Sequence, residues 1–151
     1  MSRATGWVLL AVALVLSGPV EAAQAQKVRV AVVRPTGPQG EALRKVLVQE
    51  LGKKGRGREV LPARTVDAQV KRIRGGLKTD DQRQALAEKL GADALVTASV
   101  KGTKRWDVEV RVYSAKDGSL LAEERWNVRP NRAFPEVRRE VERKLGASLK
   151  E

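Results

Sequence analysis

The apolar positions of this chain repeat with a period of two in some stretches and near 3.6 in others, which distinguishes strands from helices. Alternation predicts strands at residues 27–33, 106–113 and 120–128, and a short strand at 59–61. Residues 94–100 are apolar at nearly every position. Because a strand covered on both faces loses its alternation, this run is expected near the centre of a sheet.

Helical spacing predicts four helices between and after these strands. The first follows Gln39 and ends at Gly52, with Arg44 off its apolar face. Thr65 is expected to cap the second helix, whose Val66 lies on the apolar side. The apolar face of the first helix consists of Leu43, Val46, Leu47 and Leu51.

The third and fourth helices have clearer boundaries. Thr79 and Gln82 have the spacing of a capping box, and Gly91 is expected to end the third helix in a left-handed conformation. Two acids, Asp80 and Asp81, fall in the positive first turn, so helix capping explains them better than a metal pair does. The apolar stripe of the last helix is Phe134, Val137, Val141, Leu145 and Leu149.

The turn containing Asp117 and Gly118 joins the last two strands. A five-residue turn sets Val112 opposite Ala122 and Val108 opposite Trp126. The same register places Glu124 beside Val110 on the apolar face, which leaves open either a bulge or a partly hydrated face.

The resulting element order is β-α-β-α-α-β-β-β-α. Strand–helix–strand units favour parallel pairing with right-handed crossovers, and the closing meander is antiparallel. The sequence therefore predicts a single α/β domain with a mixed sheet, a parallel start, an antiparallel closing meander and amphipathic helices packed on it.

Residues 1–25 are interpreted as a signal peptide, and residues 26–151 as the domain. Arg3 precedes a continuous apolar run at 7–16, and Ala23-Gln24-Ala25 offers a cleavage pattern after Ala25. The run is short for a membrane span, which needs about 20 apolar residues. An uncleaved amino-terminal anchor is the alternative, and no Cys follows the run to accept a lipid. The expected location is secreted or periplasmic.

Charge is the next strong signal, because 30 Lys and Arg against 18 Asp and Glu give a net charge of +12 and a pI near 10.6. Such a balance predicts attraction to anionic partners, whether nucleic acid, acidic lipid or acidic protein. The alternative is a solvated basic surface with no dedicated ligand. The candidate anion- or partner-binding residues form three clusters: Lys53, Lys54, Arg56 and Arg58; Lys71, Arg72, Arg74 and the nearby Lys78; and Lys101, Lys104 and Arg105.

Catalysis is not indicated, since the chain has no His and no Cys and shows no paired constellation of other groups. No cofactor or metal is expected. The loop at 35–40 lacks the ending of a phosphate-binding loop and is interpreted as an ordinary turn. Trp106 and Trp126 are expected to pack rather than to form a ligand platform. The strand at 28–32 could accept a partner strand only if it lies at a sheet edge.

This element order, and particularly its second half, resembles the amino-terminal domain of TolB and its relatives, which include CsgG and the outer-membrane activators of penicillin-binding proteins. The resemblance covers most of residues 27–149. The matching residues are Ala85-Leu-Ala-Glu-Lys-Leu-Gly-Ala92, Ala98-Ser99-Val100, the valines at 108, 110 and 112, Asp117-Gly118 and Trp126. The resemblance implies a non-catalytic envelope module that acts by contacting other proteins. Two features depart from it: there is no room for the β-propeller of TolB, and there is no lipid-accepting Cys. A basic nucleic-acid-binding protein is the alternative function.

Overall fold

The structure is a computed structural model that describes residues 27–150, so the predicted signal peptide lies outside the described residues. The strands are β1 Val28–Val32, β2 Arg58–Val60, β3 Ala94–Lys101, β4 Trp106–Ser114 and β5 Leu120–Val128. The helices are α1 Gly40–Leu51, α2 Ala63–Val70, α3 Asp80–Leu90 and α4 Pro135–Leu145, and α4 continues into a 3₁₀ turn at Gly146–Leu149.

The five strands form one sheet in the order β2-β1-β3-β4-β5. Strand β1 pairs in parallel with β2 and β3, while β3, β4 and β5 form an antiparallel meander. The predicted α/β fold with a mixed sheet is confirmed, and so is the central place of β3. Because β1 is internal, it offers no edge to a partner strand.

One face of the sheet is covered along its whole width by α1 and α4. Val30, Val96 and Val110 are 0% exposed there, beneath the predicted stripes of both helices. Burial of each such Leu or Val side chain stabilises the folded protein by about 1.5–3 kcal/mol. This face holds most of the core. Both predicted stripes are buried throughout: Leu43, Val46, Leu47 and Leu51 from α1, and Phe134, Val137, Val141, Leu145 and Leu149 from α4 and its 3₁₀ turn.

The opposite face is only partly covered, by α2 and α3. Ala31, Leu95 and Tyr113 pack against Val66 and Leu86 of these helices. The predicted capping box of α3 is present, since the Thr79 side chain accepts from the Gln82 amide, and Gly91 ends the helix at φ 61°.

Two local predictions were wrong, and the burial of Arg44 was not predicted. Arg44 is 3% exposed, because its guanidinium donates to the Val32 carbonyl (3.0 Å) and to Asp67 (2.9 Å) and so ties α1 to β1 and α2. The second helix begins at Ala63 after Pro62, so Thr65 lies inside it and is no cap. Strand β2 begins at Arg58, one residue before the predicted start.

The predicted hairpin register is confirmed, with Val112 opposite Ala122 and Val108 opposite Trp126. A bulge lies between Val112 and Tyr113, nearer the turn, and Glu124 remains opposite Val110. Its carboxylate lies 3.6 Å from the Lys144 ammonium and is about one-third exposed, so this margin of the face is partly hydrated.

Candidate interaction surface

Half of one sheet face is left open by the helices. The face that buries Ala31, Leu95 and Tyr113 under α2 and α3 continues over β3, β4 and β5 with polar side chains that are exposed or partly exposed. We call this region the open face. Its side chains are Thr97, Ser99, Glu109, Arg111, Glu123 and Arg125.

Four charges on the open face form a closed lattice across β4 and β5. Arg111 lies 2.8 Å from Glu109 and 3.0 Å from Glu123, and Arg125 lies 3.0 Å from Glu109 and 2.8 Å from Glu123. Hydrogen bonding with Tyr113, opposed by burial and reinforced by the two glutamates, raises the pKa of Arg111 above its ordinary value. The lattice is electrically balanced because it contains two arginines and two glutamates. Cross-strand pairs of this kind stabilise a sheet by about 0.2–1 kcal/mol each.

A groove of about 470 Å³ runs between the open face and the chain segment that follows α2. Its walls mix apolar and polar groups. A second hollow of about 410 Å³ adjoins it and shares Ser99, Lys101 and Glu109 with it. The groove is lined by Val33, Arg34, Thr36, Val70, Gly76, Leu77, Thr97, Ala98, Ser99, Lys101, Glu109, Arg111 and Tyr113.

The segment Lys71–Lys78, called here the second basic segment, belongs to one wall of this groove, since Val70, Gly76 and Leu77 line it. Its four cations, Lys71, Arg72, Arg74 and Lys78, are exposed, and none has a carboxylate within 4.0 Å among residues 27–150. Lys101 lines the same groove from the sheet side. Lys101 of the third predicted cluster and the backbone of the second basic segment thus border one groove.

Gln82 holds the second basic segment in place. Its side chain donates to the Arg74 carbonyl (2.9 Å) and accepts from the amides of Lys78 (2.8 Å) and Thr79 (3.0 Å). Arg83 adds a second tie: it donates to the Leu77 carbonyl (3.3 Å) and to the Gly118 carbonyl (2.9 Å). The cations are therefore presented from an anchored backbone.

The segment Lys53–Arg58, the first basic segment, is different. Arg58 pairs with Val28 at the start of β1. Val32, four residues further along β1, pairs with Val96 of β3, and Lys101 lies five residues beyond Val96. At about 3.3 Å per residue, nine residues along the strands place this segment about 30 Å from Lys101. The predicted clusters therefore do not all share one surface.

Three of the four cations of the first basic segment are also paired with carboxylates, whereas Lys54 is exposed and has no carboxylate within 4.0 Å among residues 27–150. Arg58 is 7% exposed, and one terminal nitrogen donates to both oxygens of Glu142, at 2.5 and 2.6 Å. Arg56 lies 2.7 Å from the same carboxylate, and Lys53 lies 2.6 Å from Glu50. Burial, together with repulsion by Arg56, lowers the pKa of Arg58 below its ordinary value. Arg58 is accordingly removed from the predicted binding surface, because a buried, paired guanidinium cannot meet a partner.

The remaining predicted features have structural roles. Trp106 stacks in the core with Phe134, their ring centroids 5.4 Å apart, and Trp126 donates to Glu140 at 3.0 Å. Arg105 hydrogen-bonds to Asn127, whereas Lys104 is exposed in the β3–β4 loop. Within residues 27–150 there is no cluster of three acidic, His or Cys side chains suited to a metal ion.

Sequence reasoning missed the charge lattice and the part played by Gln82. The lattice was already implied by the predicted register, because pairing Val112 with Ala122 sets Arg111 opposite Glu123 and Glu109 opposite Arg125. Nothing in the sequence indicated that Gln82, expected only to cap α3, would also bind the Arg74 carbonyl.

No protein-family model and no curated protein sequence matches the chain. Its fold is similar to that of LpoB from Escherichia coli, with a TM-score of 0.55 and 12% identity over 69% of this chain and 57% of that chain. Lipoprotein GNA1162 from Neisseria meningitidis gives a TM-score of 0.55 and 18% identity over 69% of this chain and 81% of that one. The chain thus spans just over half of the E. coli LpoB chain.

At these identities the likeness shows the fold alone. TolB from Acinetobacter baumannii matches 80% of this chain and 28% of its own at a TM-score of 0.49 and 19% identity, which supports no argument. The finer resemblance to TolB and CsgG stays a prediction. Among residues 27–150, no helix has the length and apolar character that crossing a membrane requires.

Proposed function

We propose that this protein is a non-catalytic interaction module of the cell envelope, and that its groove binds an anionic segment of a partner protein. The observation that carries the proposal is the second basic segment, which borders a groove beside an open sheet face through Gly76 and Leu77 and carries exposed, unpaired cations on either side of these two residues. The apolar lining of the groove, from Val33, Val70 and Leu77, suits a polypeptide better than a simple ion.

The proposed location is the periplasm, after removal of residues 1–25 by cleavage following Ala25. The apolar run at 7–16 and the cleavage pattern support it. A fold shared with LpoB and with a protein described as a lipoprotein is in keeping with an envelope role.

Electrostatic attraction at such a site accelerates encounter and selects the sign of the partner's charge. Lys101, which lines the groove, and the exposed cations Lys71, Arg72 and Arg74 of the segment beside it would do this, whereas the paired cations Lys53, Arg56 and Arg58 would not. Among the cations of the surface predicted from the sequence, only Arg58 is excluded by burial.

The test compares two double variants that change net charge equally. The first, K71E/R72E, reverses two cations of the second basic segment. The second, K45E/K54E, reverses two exposed cations elsewhere that have no carboxylate within 4.0 Å in the described part of the chain. Binding of a fluorescent glutamate-rich peptide is measured by anisotropy across a range of salt concentrations.

We expect K71E/R72E to weaken binding by about tenfold or more, which is about 1.4 kcal/mol, and K45E/K54E to change it less than twofold. Equal losses in both variants would show that net charge alone attracts the peptide and would refute the groove. A DNA oligonucleotide serves as the competitor. Tighter, steeply salt-dependent binding of the DNA would favour the nucleic-acid alternative instead.

A further inference from the structure

The outer edge of β5 is the longest open strand edge in the described part of the chain. Strand β5 has nine residues, Leu120–Val128, whereas β2 at the other edge has three. Leu120 and Leu121 are each 49% exposed and are the only large hydrophobic side chains so exposed among residues 27–150. An edge of this kind carries a row of unpaired backbone donors and acceptors that can pair with another strand.

The charges along β5 indicate which strand would pair with it. On the open face, Glu123 lies opposite Arg111 of β4, and Arg125 lies opposite Glu109. Signs therefore alternate both along β5 and across to β4. A strand added at the outer edge would continue this order if it presented an anion to Arg125 and a cation to Glu123.

We propose that two copies of this protein associate through β5, antiparallel, with Glu124 of each copy facing Glu124 of the other at the two-fold axis. In this register Glu123 meets Arg125 of the second copy, and Arg125 meets Glu123 of the second copy. Each row across the four strands then alternates in sign, for example Glu109, Arg125, Glu123 of the second copy, Arg111 of the second copy. β5 is thus self-complementary, as an isologous interface requires.

Other registers lose this match. Opposite residues of an antiparallel pair point to the same side of the sheet. The register between the two β5 strands can therefore shift only in steps of two residues, which keep every side chain on its own face. The two nearest such registers set Glu123 against Glu123 or Arg125 against Arg125. In the proposed register the one like-charged pair is Glu124 with its copy, and Lys144 lies 3.6 Å from that carboxylate in each chain.

The pairing carries two consequences. It places the open faces and grooves of both copies on the same side of a ten-stranded sheet, since opposite residues share a face. It also confines the contact to one strand edge of nine residues, so we expect association to be weak and concentration-dependent. This inference does not rest on the proposed function, because it concerns the β5 edge and not the groove.

Cysteine cross-linking tests the register directly, since the chain has no Cys of its own. E124C sets two thiols opposite each other, where side-chain Cβ atoms lie about 4.5–5.5 Å apart, close to disulfide range. N127C is the matched control on the same strand. Its two copies would lie about 20 Å apart, six residues along the strands.

Under mild oxidation we expect E124C to form a covalent dimer at least tenfold faster than N127C. Equal rates for E124C and N127C would overturn the proposal, as would cross-linking of N127C with itself. Circular dichroism checks that each variant is folded.

A second test reverses charges on the strand and measures dimerisation by sedimentation velocity over a range of protein concentrations. E123R brings like charges together across the axis, and we expect it to weaken dimerisation at least tenfold. The quadruple variant E109R/R111E/E123R/R125E restores alternation everywhere, and we expect it to dimerise as the natural sequence does. A natural sequence that stays monomeric at about 1 mM, or a folded quadruple variant that stays monomeric when the natural sequence dimerises, would contradict the pairing.

Discussion

The two basic segments of this protein have four cations each in the sequence and different fates in the structure. In the first, Lys53, Arg56 and Arg58 are all bound to carboxylates, and Arg58 is buried. In the second, Lys71–Lys78, the cations are exposed and the fixed contacts are made by the backbone with Gln82. A cationic sequence is therefore a binding surface only where the fold brings no anion to it.

The difference arises from which helices lie nearby. Helix α4 brings Glu142 to the first segment from 84 residues away in the chain, and α1 ends beside the segment with the buried Glu50. The second segment runs beside the groove, where the open-face glutamates are already held by Arg111 and Arg125. Its positive charge therefore remains available to a partner.

The largest expected effect comes from freeing Arg58. In E142Q the buried guanidinium loses its carboxylate, and breaking such a buried pair typically costs about 3–5 kcal/mol. Because the Glu142 side chain is about one-quarter exposed and Gln retains one acceptor, we expect a loss of about 2–3 kcal/mol in the free energy of unfolding. Urea denaturation measures it, with E88Q on the exposed surface of α3 as the control. A loss below 0.5 kcal/mol, the range of ordinary surface changes, would mean that the pair contributes little.

A smaller effect concerns Glu50, which pairs with Lys53 at 2.6 Å and with Arg138 at 3.2 Å. Burial raises the pKa of Glu50, but Lys53 and Arg138 together outweigh it, so the pKa lies below its ordinary value of 4.5. A carboxyl with a lowered folded pKa stabilises the protein above its unfolded pKa, and that stability is lost as the pH falls through the folded pKa.

The difference in unfolding free energy between the natural sequence and E50Q should therefore be full at pH 7, begin to shrink as the pH falls through 4.5, and disappear below the lowered folded pKa of Glu50. Chemical denaturation at a series of pH values measures the difference. A gap that stays constant down to pH 3, or that widens on acidification, would contradict the assignment.

The smallest expected effect concerns the second basic segment and its anchor Gln82. Q82A removes no charge but releases the backbone of Arg74, Lys78 and Thr79. We expect a cost of about 1 kcal/mol, the usual range for a lost helix cap, and two- to threefold weaker binding of the glutamate-rich peptide. Q84A on the exposed side of the same helix is the control. Unchanged peptide affinity in Q82A would show that the cations act without a fixed backbone.

The sequence alone predicted the strands, the α3 capping box and the hairpin register, because these depend on local periodicity and turn residues. It did not predict Arg44 as a buried tie, because a cation beside an apolar stripe meets its acceptors, Val32 and Asp67, only after α1 packs on the sheet. Arg58 was misread for the same reason, since Glu142 lies 84 residues away. The groove depends on how far α2 and α3 extend over the sheet, which no local pattern specifies.

Photo-cross-linking in intact native cells tests the groove most directly. A benzophenone side chain replaces Ser99 on the groove floor, or Lys54 as the control position. We predict a discrete cross-linked partner from position 99 that disappears in K71E/R72E, persists in K45E/K54E and is absent from position 54. The same partner captured from both positions, or capture at position 99 that K71E/R72E leaves unchanged, would contradict the account.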